Sequence, residues 1–545
     1  MNKLLMLAFS FSTALYCSAD IRLPKFFRDS MVLQRDQVIP IWGWAAKNEK
    51  VTVQFGDQKK VAVAGKDGKW RINLDKMGAG GPFTLLVSGK NLIALKDILI
   101  GDVWLCSGQS NMEYKVNGVL NAKEEIAAST NPNIRHIEIP KAVSGKPEND
   151  ISQNATWRSA SPASTGNFTA VGYFFAKKLY DELKVPIGLI HSSWGGTDIE
   201  PWTSRYALEK SDEFKSLMKK IPSINLDSLN KVFKEKLTVD LQKWQGGLPD
   251  ATIVNSWKQF SFDDGSWHQM TVPSIWETQG LTDIDGIVWF RKNIILFAAD
   301  AGKEGTLELS LIDDIDDTYI NGVKIGSTSG YNIARKYKIP TGILKEGKNV
   351  IAVRINDTGG GGGMYGPASD MKITVNQRSQ SLAGQWKYRI ASVVDTKSSV
   401  APNSYPTLLF NAMINPLIPY AIKGALWYQG ENNASRAYQY RSAFPLMIND
   451  WRQHWGEGNF PFYFVQLASF NAANGNSQKG SAWAELREAQ TLTLSLPHTG
   501  MAVITDIGMA DDIHPKNKQD VGKRLAAIAL HDAYGKNIVY GGPTY

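Results

Sequence analysis

Val103-Trp104-Leu105-Cys106-Ser107-Gly108-Gln109-Ser110-Asn111-Met112 is an apolar run that ends in a glycine and then a serine. The run predicts a buried strand. Gly108 lets the backbone turn sharply after it, which leaves the Ser110 hydroxyl at a sheet edge with room for a substrate. Near the far end of the chain stands Asp511-Asp512-Ile513-His514-Pro515. A serine on a tight turn, an imidazole and a carboxylate are the parts of an acyl-transfer site: the imidazole takes the hydroxyl proton and the carboxylate holds the ring in the right tautomer. Each half is weak alone, because Gly-x-Ser is common in loops and an acid near a histidine often caps a helix. In order and spacing, with the acid three residues before the base, they also differ from the Gly-x-Ser-x-Gly pattern, whose acid and base lie far apart.

Four segments, Asp102 to Glu113, Ser193-Trp194-Gly195-Gly196-Thr197, Trp427-Tyr428-Gln429-Gly430-Glu431-Asn432 and Asp511 to Pro515, resemble four ordered blocks of the sialate O-acetylesterase family. That family lies within the SGNH-hydrolase superfamily of flavodoxin-like esterases, and the resemblance runs from Ile21 to the C-terminus. It implies Ser110 as nucleophile, His514 as base and Asp511 as acid, since Asp511 and not the adjacent Asp512 stands three residues before His514. It also implies an oxyanion hole formed by Gly195 and Gln429 with the Ser110 N–H. Such donors must already point at the developing charge, and losing one typically costs about 2.7–4 kcal/mol of barrier. Gly195, in a Gly-Gly turn after Ile187-Gly188-Leu189-Ile190, can offer an unhindered N–H, and Gln429, after Ala425-Leu426-Trp427-Tyr428, a side-chain amide. The bland readings are that Gly195 ends a strand and Gln429 bonds a neighbouring loop; which of Gly195 and Gly196 donates stays open.

The implied substrate is an O-acetylated sugar, O-acetylated sialic acid in the first place. Related enzymes with inserted β domains act on acetylated plant polysaccharides such as xyloglucan, and the sequence leaves that choice open. No cofactor is implied. Two rivals come from other classes: a non-catalytic carbohydrate-binding protein that works through its β domains, and a glycosidase, which needs a pair of carboxylates at a defined separation.

The remaining residues narrow these readings. Of the seven histidines, only His514 has an acid at the three-residue spacing in a loop that opens a helix. His531 falls on an apolar helical repeat with Val521, Leu525 and Ile528 and reads as a packing residue. No set of His, Cys and carboxylates has zinc-type spacing, so no metal is expected. The acidic cluster Asp313, Asp314, Asp316 and Asp317 lacks the glycine and terminal glutamate of a calcium loop and reads as hairpin entry. Sixty basic against 52 acidic residues give a formal charge of +8, a mild excess without the clustered stripe that nucleic acid requires.

Lys3, the apolar stretch Leu4 to Leu15 and then Cys17-Ser18-Ala19 predict a signal peptide over 1–19, cleaved before Asp20. The stretch is too short for a comfortable membrane span, so the expectation is an exported, periplasmic or secreted protein. Tyr16 is too bulky for the usual lipoprotein pattern. Cleavage leaves Cys106 as the sole cysteine, expected to act as a small buried hydrophobe.

A chain of 545 residues is too long for one core. Residues 20–99 alternate in short runs broken by Gly and Asp turns and predict a small β-sandwich. Residues 100–243 and 377–545 alternate strands with helices, such as Ala170 to Leu183, and predict a flavodoxin-like three-layer α/β domain with a parallel sheet. Between them, 244–376 is all-β and aromatic, and it resembles a galactose-binding-like jelly roll with a hairpin at Asp317 to Gly322. The expected fold class is therefore multidomain α/β plus all-β. The family resemblance further predicts strand sequence beyond Gly541-Gly542-Pro543, where this chain stops at Tyr545.

Overall fold

The computed structural model describes residues 20–221, 225–281, 284–394, 400–470 and 480–542. The expected signal peptide with Cys17 lies outside the described residues, as does the chain from Pro543 onward. No helix among the described residues is long and apolar enough to cross a membrane.

Two compact units form. The first joins the chain up to Leu226 with the chain from Val400, and is built on a parallel sheet. Its parallel strands are β1 (Leu92–Gly108), β2 (Asn131–Glu138), β3 (Ile187–Ser193), β4 (Gly424–Tyr428), β5 (Phe462–Val465) and β6 (Thr499–Ala502). They lie in the order 2-3-1-4-5-6. Leaving aside β2, whose outer side pairs antiparallel with the short strand Arg158–Ala160, the remaining five run in the order in which the first strand is flanked by the second and the third. The C-terminal end of β1 is thus the point where successive connections leave in opposite directions, and α/β sheets hold their sites there.

Alternation along β1 explains why it is central. Val103 and Leu105 face one layer, with Trp427 and Phe464 of the neighbouring strands and with Phe444 and Trp451 of helix Ala437–Trp455. Trp104 and Cys106 face the other, packed with residues of α1 (Ala170–Leu183) and α2 (Lys518–Asp532). A strand covered on both faces has no polar side, so it reads as an unbroken apolar run. Cys106 is fully buried and free, and burial pushes its thiol pKa well above the ordinary value, so it stays a protonated packing group.

The boundary expected at 99/100 falls inside β1. Leu92 to Ile100 pair with the antiparallel strand Gly80–Ser88, and the same strand then runs on into the parallel sheet. One 17-residue strand therefore serves both the N-terminal β layer and the α/β core, its pairing shifted in register around Asp97, whose φ is 57°, but not ended there.

The second unit, Asp227–Ser399, is wider than the 244–376 expected. On its C-terminal side, Gly384–Val393 pairs with both His268–Val272 and Gly286–Leu296. On its N-terminal side, helix Leu226–Gln245 contributes Leu241 to this unit's core, and the Gln245 amide hydrogen-bonds the Ile390 backbone at 2.8 and 3.0 Å. The expected hairpin is present, Ile315–Ile320 against Val323–Ser329, turning at Asn321 and Gly322. Their positive φ values of 50° and 90° suit the tight turns that twisted hairpins favour. Asp316 lies at 2.9 Å from Arg335, both fully buried, and accepts from the Tyr337 hydroxyl, so this acid is used internally. Among the described residues no group of three or more His, Cys, Asp or Glu is placed to hold a metal ion.

Candidate active site

The turn after β1 is set by backbone constraints. Gly108 has φ 135°, and a Cβ there would stand 2.2 Å from the Tyr428 carbonyl oxygen, so only glycine lets β1 and β4 stay paired to their ends. Gln109 then donates its N–H to that carbonyl at 3.0 Å, and Trp194 donates to the Gly108 carbonyl at 3.0 Å. Ser110 begins one helical turn, Ser110–Glu113, at the switch point of the sheet. As the first residue of that turn it has no carbonyl four residues earlier to take its N–H.

His514 arrives from the loop between β6 and α2. Its Nε2 lies 2.9 Å from Ser110 Oγ, a hydrogen bond between residues 404 positions apart. The loop is tied down at several points. The Asn111 amide donates to the Ile513 carbonyl at 3.0 Å, Asn517 caps α2 by accepting from the Asp520 N–H, and the imidazole stacks beside Tyr114 at 6.3 Å between ring centres. Burial, and after it the nearby Lys518 ammonium, hold the His514 pKa below its ordinary value against the opposing pull of Asp512. The ring is therefore kept in its proton-accepting form.

The carboxylate beside His514 is Asp512, a correction to the expected Asp511. Asp512 Oδ1 accepts the His514 N–H at 2.8 Å and lies 3.6 Å from Nδ1. Asp511 is exposed. An aspartate two residues before another residue can reach that residue's own backbone N–H, a local bond that turns its carboxylate toward the ring. The Nδ1 contact is longer than a hydrogen bond, and such contacts commonly tighten only with substrate bound.

Of the two expected oxyanion donors, Gly195 lies against the nucleophile: a Cβ there would be 3.3 Å from Ser110 Cβ. Its N–H, however, already donates to Glu113 Oε2 at 2.7 Å, and Glu113 is itself held at 2.6 Å by Lys141. Gln429 is fully buried, and both hydrogens of its amide are engaged, on the Thr197 carbonyl at 3.0 Å and Asn433 Oδ1 at 2.7 Å, while its oxygen accepts from the Tyr440 hydroxyl at 2.8 Å. The structure thus makes Gln429 an internal anchor of the neighbouring loop in place of the expected free donor, because a buried amide has to satisfy all its bonding groups.

Of the other histidines, His136 and His191 are buried, while His268, His498 and His531 are exposed. His191 is buried, its Nε2 2.6 Å from Ser193 Oγ, and burial pushes its pKa down to about 3, so it remains neutral. His531 departs from expectation: it sits in the last turn of α2, exposed, stacked on Tyr540 at 4.0 Å. Three residues that sequence reasoning passed over also converge here, Asn111, Glu431 and Lys518. Lys518 carried a usable signal, since it is the first residue of α2, where the helix dipole disfavours a cation.

Comparisons with known proteins follow the same geography. The profile of the family described as carbohydrate esterase, sialic acid-specific acetylesterase matches residues 100–232 and 402–531. The chain is 27% identical to the sialate O-acetylesterase of Mus musculus over 560 residues, covering 96% of this chain and 75% of that one. It is 24% identical to the sialate O-acetylesterase of Homo sapiens, covering 96% and 73%. Among solved structures, a carbohydrate acetylesterase from Xanthomonas citri superposes with a TM-score of 0.60 at 29% identity, covering 96% of this chain and 78% of that one.

Proposed function

Because the chain belongs to the sialic acid-specific acetylesterase family of carbohydrate esterases, we propose that it removes O-acetyl groups from sugars, O-acetylated sialic acid foremost, with Ser110 as nucleophile, His514 as general base and Asp512 as the carboxylate that orients the imidazole. One observation carries the reading: the 2.9 Å contact between His514 Nε2 and Ser110 Oγ. In the first step Nε2 takes the Oγ proton as Oγ attacks the acetyl carbonyl, and the imidazolium returns that proton to the departing sugar oxygen. Water, deprotonated by the same nitrogen, then attacks the acetyl ester on Ser110, and the imidazolium gives that proton to the departing Oγ as acetate is released. The oxyanion is stabilised by the Ser110 N–H and by the Gly195 N–H, which becomes available when the substrate displaces the Glu113 carboxylate.

The substrate itself rests on the relatives' names. Two of them are sialate O-acetylesterases, and the Xanthomonas citri protein is described more broadly as a carbohydrate acetylesterase. Acetate release from O-acetylated sialic acid is expected to exceed that from acetylated xylo-oligosaccharides at equal concentration; the reverse order moves the assignment to plant polysaccharide, and absence of acetate from both overturns the esterase role. The same assay run against pH has a defined sign. A general base acts when unprotonated, and the His514 pKa is depressed, so kcat/KM is expected to rise through an acid limb centred below the ordinary histidine value. A limb centred above that value contradicts His514 as the base.

A further inference from the structure

We propose that Asn111, Lys518 and Glu431 form a buried clamp that positions the His514 imidazole against Ser110 and fixes the charge it faces. This rests on the acyl-transfer reading above. The three residues come from the three segments that meet at the site: Asn111 follows the nucleophile, Lys518 lies four residues after His514, and Glu431 follows the turn after β4. The Asn111 amide joins them. Its Nδ2 donates to Glu431 Oε1 at 2.6 Å and to the Ile513 carbonyl at 3.0 Å, and its Oδ1 accepts from Lys518 Nζ. Cation and anion therefore hold opposite ends of one amide, which leaves it a single orientation, and that amide grips the residue immediately before His514.

Packing alone does not account for this arrangement. Lys518 is fully buried and Asn111 is 1% exposed. Glu431 Oε2 is sealed from solvent with no hydrogen-bond partner. Lys518 Nζ lies 5.1 Å from the ring centres of both Tyr114 and Tyr428, so its remaining surroundings are aromatic faces. Burying such groups costs several kcal/mol per ion unless each is well paired, and an apolar trio would fill the same space without that cost. What an apolar trio could not do is hold the His loop by its carbonyl and present a positive charge to the imidazole. The charged and titratable groups facing the cluster are Glu431, Asp512 and His514, with the Tyr114 and Tyr428 phenols around Lys518. Lys518 opposes protonation of His514, and burial brings its own pKa down to about 7.

The test uses Lys518→Met, which keeps an unbranched stem and removes the charge, and the isosteric Glu431→Gln, with Ser110→Ala as control. For Lys518→Met the acid limb of kcat/KM is expected to move to higher pH, because the cation that opposes imidazole protonation is gone, and kcat at neutral pH to fall about 10-fold with KM little changed, as misplacement of a catalytic group predicts. Glu431→Gln, which removes the charged acceptor from the Asn111 amide, is expected to lower kcat several-fold, again with KM little changed. A purely structural role lowers the amount of folded enzyme and leaves the limb where it was. Wild-type kcat and an unmoved limb in both variants overturn the clamp, provided Ser110→Ala is inactive. If Lys518→Met does not fold, wild-type kcat in Glu431→Gln alone overturns it. Activity in Ser110→Ala instead refutes the acyl-transfer reading on which the clamp depends.

Discussion

Ser110→Ala is expected to lower kcat for acetate release by about 10⁴-fold or more while leaving the thermal midpoint of the protein within a degree or two. The size follows from the role: removing the nucleophile of a serine–histidine pair leaves only the residual catalysis of oxyanion stabilisation and substrate binding. The specificity follows from the surroundings. The Ser110 side chain is half-buried, and its hydroxyl's hydrogen bond is to His514, so the substitution strands no buried polar group and opens no apolar cavity. The β1 turn is held by Gly108, Gln109 and Trp194 through backbone bonds that alanine keeps. Steady-state acetate release together with a melting curve checks both halves. A variant that retains a tenth of wild-type activity would require a different nucleophile.

Asp512→Asn is expected to reduce kcat/KM by roughly 10²–10⁴-fold, and Asp511→Asn by less than about 3-fold. The asparagine keeps a side-chain oxygen that can accept the His514 backbone N–H, so the loop stays closed, yet it is neutral and loses the stabilisation of the imidazolium that forms during the reaction. Asp511 is exposed, where neutralising one charge changes little. Paired kinetics on the two variants decide between Asp511, which the resemblance implies, and Asp512, which lies beside His514; the opposite ranking restores the three-residue spacing.

How much of this was legible in the sequence depended on whether the deciding interaction was local. The β1 run, the Gly108 turn and the Ala170–Leu183 helix could be read because alternation, a positive-φ glycine and a helical apolar face are properties of neighbouring residues. Ser110 and His514 stood out because each follows an apolar strand and carries a chemistry-bearing side chain. That Asp512 and not Asp511 stands beside His514 turns on a local detail, the bond from the His514 N–H to Asp512, which depends on loop dihedrals that no residue pattern reports. The internal bonds of Gln429 were not legible because the Thr197 carbonyl that takes one of its amide hydrogens lies 232 positions away. The 99/100 boundary was drawn where composition changes, but hydrogen bonding carries one strand across it. His531 satisfied a helical repeat and still ended exposed, because it occupies the last turn of α2.

The account stands most directly on Ser110 becoming the acylated atom with His514 as its base. Incubation with an organophosphonate ester, which is attacked by an activated serine and stays attached, followed by peptide mass mapping, measures this. The account predicts a single stoichiometric label on the peptide carrying Ser110, with the rate of labelling falling at least about 100-fold in His514→Ala. A label on another residue, or full esterase activity in protein whose Ser110 peptide is completely labelled, would contradict it.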